Sequence, residues 1–462
     1  MPQRRLSTAG VDYDIPGSYL NAAEAAGIPP VQNPEEAAIY RHESLEQSKS
    51  RDQDYLRRQQ SHQDGSHGRA GAEPVVTAED QTKDFEISRL ATQIYTISYL
   101  ILFSILGTLA RLGLQALTYY PGAPVPFSSV WPNFAGSLVM GFLAEDRMLF
   151  RHEWGTPTHD PQITKAHQAH RVDEETGDSS STGDELDLAA AKKAHMVTKK
   201  TIPLYIGLAT GFCGSFTSFS SFIRDVFLAL SNDMPTPKLE STTMPRNGGY
   251  SFMAVLAVII TTVSLSLSGL FIGAHLAIAL EPITPSLPFI LTRKIVDRIA
   301  VFFAWGSWLG AVLLSILPPD RFTLPGASEV WRGCATFSLV FAPLGCLLRF
   351  YVSMYLNGRK ASFPLGTFAV NMFGTAVLGT AWDIAHVPDG GVVGCQVLQG
   401  IEDGFCGCLT TVSTWVAELA ALRRLRAYVY GVASVGTGLA LMVAIMGGLR
   451  WSQGFAGLVC VK

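Results

Sequence analysis

The stretch GFCGSFTSFSSF runs from Gly211 to Phe222, and GFCGCLTTVSTW runs from Gly404 to Trp415. Each lies within an apolar segment long enough to cross a bilayer, yet each places glycines and hydroxyl side chains where a continuous membrane helix would be interrupted. In lipid, broken backbone is tolerated only where protein or a water-filled cavity satisfies the freed N–H and C=O groups. Two such interruptions at corresponding places in two halves point to an ion or substrate site.

Working outward, 48% of the 462 residues are hydrophobic and only 16% are charged, with a formal net charge of -3. The charge crowds into the first ninety positions and the stretch from Arg151 to Lys200. Elsewhere apolar runs recur at about 20 residues, the length that spans a hydrocarbon core. The pattern excludes a string of soluble domains and predicts an all-α polytopic membrane protein with nine transmembrane helices. These cover Gln93–Leu117, Val130–Phe150, Ile202–Leu230, Ser251–Leu280, Ile295–Leu317, Cys334–Leu356, Leu365–Ile384, Val392–Leu419 and Ala427–Leu449. Arg293, Lys294, Arg298, Arg359, Lys360, Arg423, Arg424 and Arg426 gather on one side, so the N-terminus is expected in the cytoplasm and the C-terminus outside.

Residues 1–92 are polar and lack apolar periodicity over most of their length, which predicts a disordered cytoplasmic tail. Residues 151–200 carry acidic and serine runs and read as a flexible cytoplasmic insert. No basic tract with interleaved aromatics is present, so nucleic acid is not an expected partner. Seven cysteines at scattered spacings read as small packing residues, without a disulfide framework or a metal cage. Only His275 among the histidines falls inside an expected span, which argues against a buried histidine relay.

Self-comparison organises the chain further. Gly107 and Arg111 in LGTLARLGL match Gly345 and Arg349 in LGCLLRFYV. Arg111 and Asn133 are 22 positions apart, as are Arg349 and Asn371, and each asparagine opens an N-x2-G-x4-G motif. The glycine-rich break then follows in each half. Four spans, one connecting span and four more spans make the second repeat enter upside down, giving two antiparallel four-helix inverted repeats joined by one linking helix. The first repeat covers 93–280, the linker and its helix 281–331, and the second repeat 332–462. Such repeats place related sites near the bilayer midplane.

These motifs, in order and twice over, resemble the fungal, fused form of the Fluc/CrcB fluoride channel family, the eukaryotic fluoride exporters. The resemblance implies a passive fluoride-selective anion channel of the plasma membrane, confers no enzymatic role, and predicts a monomer acting as a fused pseudo-dimer in the lipid bilayer. It also implies a structural sodium ion held by the backbone carbonyls of Gly214, Thr217, Gly407 and Thr410, and an anion route lined by Phe219 and Phe222. Val412 and Trp415 stand in the second copy where the family has phenylalanines. Carried over residue by residue, one route pairs Phe219 with Trp415 and the other pairs Phe222 with Val412.

The residues themselves suggest matching chemistry. Asn133 and Asn371 are either interhelical glue, worth about 0.6 to 2 kcal/mol per hydrogen bond in a membrane, or amide donors to a dehydrated anion. Arg111 and Arg349 either face a bundle interior or vestibule that gathers anions, or snorkel to the interface. Ser220, Ser221, Ser413 and Thr414 supply hydroxyls beside the aromatics, with Ser264, Ser268, Ser434 and Thr437 in the fourth and ninth spans. An inverted-repeat secondary transporter has the same architecture, and Glu402 and Asp403 just before the second break are its best support. A non-transporting membrane scaffold or receptor is a further alternative, although it would not require duplicated polar breaks. No phosphate-binding loop accompanies these features.

Overall fold

The computed structural model describes residues 89–120, 123–150, 152–153, 156–157, 199–234, 246–288, 291–317, 332–360, 362–387 and 391–460. The tail, as far as residue 88, and nearly all of the 151–200 insert lie outside the described residues. Helices dominate; a two-residue antiparallel pair joins His152–Glu153 to Thr156–Pro157.

In chain order, α1 covers Arg89–Thr118 and α2 covers Val130–Glu145. Helix α3, Pro203–Ile206, continues through a π-helical stretch, Gly207–Cys213, into the short α4, Gly214–Phe216. After a break comes α5, Phe219–Ser231, then α6, Gly248–Ala279. Helix α7, Asp297–Ile316, follows a π-helical turn, Thr292–Val296. Helix α8, Ser338–Leu356, and α9, Leu365–Ala385, open the second half. There α10, Val392–Gly400, runs through a second π-helical stretch, Ile401–Cys406, into α11, Gly407–Leu409. Helices α12, Ser413–Ala421, and α13, Arg424–Ser452, complete the described chain.

Among the described residues, six helical segments are long and apolar enough to cross a membrane: Leu90–Thr118, Pro203–Ser231, Gly248–Ala279, Lys294–Ile316, Ala335–Arg359 and Arg424–Ser452. The other expected spans are helical too, but they are shorter, less apolar or interrupted. Helix α2 stops at Glu145, five residues before the expected end, and Asp146 leaves helical geometry at φ -55 and ψ 133. Asp146 accepts from the N–H groups of Met148 and Leu149, which draws the chain into a turn.

Local sequence explains the boundaries. Pro203 begins α3, where its missing N–H leaves nothing unsatisfied. The Asn247 side chain caps α6 by accepting from the Tyr250 N–H at 3.0 Å. Asn232 ends α5 in the left-handed region at φ 64. Glycine then sets how closely the helices pack. A Cβ on Gly141 would sit 1.9 Å from the Leu270 carbonyl oxygen, and one on Gly273 1.9 Å from that of Leu138. Helices α2 and α6 therefore touch backbone to backbone, the small-residue packing of membrane helices.

Helix α7 lies at the edge of the described helices, with Phe302 and Phe303 exposed, as lipid-facing residues are. Its inner side is pinned by polar contacts. Tyr99 donates to Asp297 at 2.8 Å, Trp305 Nε1 to Ser98 Oγ at 3.2 Å and Trp308 Nε1 to the Val340 carbonyl at 3.0 Å.

The cysteine expectation needs correction. Cys395 and Cys460 form a disulfide, while Cys213, Cys346, Cys406 and Cys408 are free and buried as packing residues. The bridge joins the start of α10 to the segment after α13. That segment turns back at Gly454, φ +79, and the Ala456 N–H donates to the His386 carbonyl. This fold-back brings the two thiols together across 65 positions.

Candidate functional site: two interlocked helix breaks

Both breaks share one geometry. Thr217 is extended at φ -96 and ψ 153, and Thr410 at φ -95 and ψ 150. Each follows a π-helical stretch, a distortion that often marks functional sites. Asparagine closes each break. Asn133 Oδ1 accepts from the Ser218 N–H at 2.9 Å, and Asn371 Oδ1 from the Thr411 N–H at 2.9 Å. The same amides donate back to the Ser218 and Thr411 carbonyls at 3.5 and 3.3 Å. Both asparagines are buried, each binding the backbone at the point where the helix is lost.

The threonines then cross between halves. Thr217 Oγ1 accepts from the N–H groups of Val412 and Ser413 at 3.2 and 3.1 Å, capping α12. Thr410 Oγ1 accepts from the Ser220 N–H at 3.0 Å, capping α5. Ser218, Ser220, Thr411 and Ser413 add hydroxyl contacts of 3.0 to 3.3 Å to the same knot. An N-terminal cap is worth about 0.5–2 kcal/mol, and here each half adds one to the other, on α5 beside the cap that Ser218 itself makes.

The arginines also cross over. Arg111 and Arg349 are 1% and 0% exposed, so neither snorkels; both sit in the bundle interior. Arg111 donates to the Ser215 carbonyl at 2.9 Å and to that of Asp403, and a Cβ on Gly407 would fall 2.4 Å from its guanidinium. Arg349 donates to the Thr210 carbonyl at 2.7 Å and lies against Gly214 in the same way. Each glycine thus makes room for the arginine of the opposite half.

Whether carbonyls here suit an alkali ion can be tested from the hydrogen bonds. The N–H of Ser218, which would close a turn on the Gly214 carbonyl, goes to Asn133, and the Ser221 N–H, one turn after Thr217, goes to Ser218 Oγ. In the second half Thr411 N–H goes to Asn371 and Thr414 N–H to Thr411 Oγ1. The four expected carbonyls are among those whose usual helical donors are diverted, as are those of Phe216, Cys408 and Leu409. Released carbonyls of this kind fit sodium in chemical type.

The aromatic residues sit beside the knot. Phe219 meets Trp415 edge to face with centroids 5.3 Å apart, and meets Phe222 at 5.8 Å. Phe222 and Val412 share the buried core. Ser220, Ser221, Ser413 and Thr414 are buried, as is Ser434. Ser264, Ser268 and Thr437 instead occupy exposed positions; the buried hydroxyls of α6 are Thr262 and Ser266.

Sequence reasoning also missed a second tier. Three residues after Phe222 and Trp415 stand Asp225 and Glu418, both buried. Ser129 donates to Asp225 at 2.5 Å and Thr367 to Glu418 at 2.6 Å, and each donor lies four residues before its asparagine. Tyr430 donates to Glu418 at 2.7 Å. Arg224 pairs with Asp225 at 3.3 Å and lies 5.4 Å over the Trp382 ring, with no matching arginine in the second half. The signal was the matched position of two span carboxylates, hidden because the residues differ.

Several long apolar helices around paired polar breaks define a polytopic helical membrane protein. The family model described as "CrcB-like protein, Camphor Resistance (CrcB)" matches residues 98–274 and 336–448, and the chain belongs to that family. Fluoride export protein 1 of Neurospora crassa is 59% identical, over 99% of this chain and 87% of the relative. Fluoride export protein 1 of Candida albicans is 34% identical over 76% of this chain and 79% of its own length. The fluoride-specific ion channel FluC 2 of Rhodococcus jostii is 38% identical but aligns with only 21% of this chain, and with 82% of itself. No solved structure matches.

Proposed function

We propose that the chain is a passive fluoride-selective anion channel that exports cytoplasmic fluoride across the plasma membrane. The observation that carries this reading is near full-length similarity to a protein named as a fluoride exporter. Hydrogen fluoride enters cells uncharged and ionises in near-neutral cytosol. A negative-inside potential then drives the trapped anion out by about 2.3 kcal/mol per 100 mV, so no fuel domain is needed.

The proposed architecture is nine spans in two antiparallel repeats joined by α7, acting as one fused pseudo-dimer with the N-terminus in the cytoplasm. The Cys395–Cys460 bridge supports an external C-terminus, because disulfides persist on the oxidising side of the membrane. Sodium held by the carbonyls of Gly214, Thr217, Gly407 and Thr410 supplies a fixed positive charge where the breaks meet. Asn133, Asn371, Ser220, Ser413 and Thr414 offer hydrogen bonds along the anion path, with Arg111 and Arg349 providing positive charge near its centre.

The route through Phe219 and Trp415 carries most of the flux. Ser137, Thr262, Ser266 and Trp415 Nε1 are buried without a hydrogen-bond partner among the described residues, and they stand on α2, α6 and α12. On α9, α13 and α5 Thr375 is the one hydroxyl left so among the described residues, with Trp382 Nε1, Asp383 Oδ1 and Arg224 Nε also unpartnered there; Ser434 donates to the Tyr430 carbonyl and Gly438 has no hydroxyl. Fluoride efflux from proteoliposomes, measured against chloride, tests the reading. Equal rates for the two halides would sink it. Burial of Glu402 favours a proton-coupled transporter as a second reading, and uphill fluoride movement under a pH gradient would select it.

A further inference from the structure

The residue where the second break departs from phenylalanine carries an atom that phenylalanine lacks. Trp415 is 1% exposed, and its ring packs edge to face against Phe219. Its indole Nε1 is buried with no hydrogen-bond partner among the described residues. Trp382 Nε1 is also unpartnered among the described residues, whereas Trp305 and Trp308, on α7, donate to Ser98 and Val340. A buried N–H without an acceptor costs about 1–3 kcal/mol, and a phenylalanine would avoid that cost. Indole N–H is a donor only, so whatever completes it must be an acceptor. The knot's own acceptors are engaged: Thr217 and Thr410 receive backbone N–H groups, and Glu418 receives Thr367 and Tyr430.

We infer that the Trp415 indole N–H is a hydrogen-bond donor to the permeating anion and determines which halide this route accepts. This rests on the anion-channel reading above. A ring edge of phenylalanine offers a weakly positive rim, whereas an indole N–H offers a directed bond, and bonds to ionised acceptors are shorter and roughly twice as strong as neutral ones. A small anion with concentrated charge gains most from such a donor. Fluoride is therefore favoured over chloride at this position, where a carbon edge discriminates less.

The test replaces Trp415 with 3-benzothienylalanine, which keeps the bicyclic shape and exchanges N–H for sulfur. Trp415→Phe is the second variant, removing the donor with a smaller ring. Fluoride and chloride efflux are measured from proteoliposomes with the full chain at matched protein levels. About tenfold slower fluoride efflux in both variants, with chloride leak unchanged or raised, is expected; a factor of ten equals about 1.4 kcal/mol of lost stabilisation. Fluoride efflux within twofold of wild type in either variant overturns the inference while leaving the channel reading intact. A wild-type protein that passes no fluoride overturns the channel reading itself, and the inference with it.

Discussion

At the level of single residues, the two aromatic copies are unequal in a way that makes them separable. Phe219 touches both Trp415 and Phe222, whereas opposite Phe222 the second copy offers Val412, which has no ring edge. Phe219→Ile is expected to abolish fluoride resistance, and Phe222→Ile to leave most of it, at equal membrane levels. Growth on graded fluoride reads the difference, and the reverse ranking would show that the aromatics are paired wrongly. Lys199, just ahead of α3, gives a pH signature of another kind. It is fully buried, its ammonium lies 5.3 Å from the Tyr205 ring centre, and it donates to the Asp146 carbonyl. Burial lowers its pKa to about 8 from an ordinary 10.5, against the opposing pull of Asp146. The unfolded chain therefore binds the extra proton between those values, and stability should rise with pH across that window. The penalty is present in full below pH 8 and amounts to roughly 3 kcal/mol. Thermal unfolding in detergent from pH 7 to 10.5 should show the rise in wild type and a flatter profile in Lys199→Met.

At the level of elements, the paired breaks could be read from the chain because glycine, asparagine and threonine recur at fixed spacing, and each has a backbone function at its position. The hydroxyl stripe of α6 could not. Residues 261–268 read TTVSLSLS, with hydroxyls at every second place from Thr262 onward. On a helix of 3.6 residues per turn, steps of two rotate by about 200°, so such a pattern marks no face. Only packing against its neighbours, α2, α5 and α12, separates buried Thr262 and Ser266 from exposed Ser264 and Ser268. The packing against α2 depends on glycine. A methyl at Gly141 or Gly273 would strike a carbonyl oxygen at 1.9 Å, and backbone cannot step aside as a side chain can. Gly141→Ala should therefore cost more than the 1–3 kcal/mol typical of overpacking. By contrast a methyl added to Gly113 in α1 would meet nothing within 4 Å, and Gly113→Ala should stabilise its helix by about 0.5–1 kcal/mol. Melting temperatures of the two variants should move in opposite directions; a tolerated Gly141→Ala would mean that α2 and α6 are free to separate.

At the level of the whole molecule, the two halves hold one another at the centre and a covalent strap holds the far end of the second. The central interlock was only half legible. The repeat showed that matching sites exist, but no sequence signal says that Thr217 caps α12, that Thr410 caps α5, or that each arginine lies against the other half's glycine. The strap was not legible at all, because cysteine positions do not reveal connectivity. Its end is held by more than the bridge: Phe455 packs on His386 and Trp382 at 5.3 and 6.1 Å, and Trp382 in turn lies under Arg224. Closing a loop of 65 residues removes unfolded-state freedom worth about 4 kcal/mol in the chain-entropy model, an upper figure where membrane helices persist after unfolding. Cys460→Ser should therefore lower the midpoint of thermal unfolding in detergent, while fluoride efflux persists because the breaks, their caps and the aromatics do not depend on the bridge. The same bridge tests the orientation of the chain. In intact cells a membrane-impermeant phosphine followed by an impermeant maleimide should label Cys395 and Cys460, and labelling should vanish in the double serine variant. Label appearing only after the membrane is opened would place the C-terminus in the cytoplasm and reverse the direction assigned to every helix.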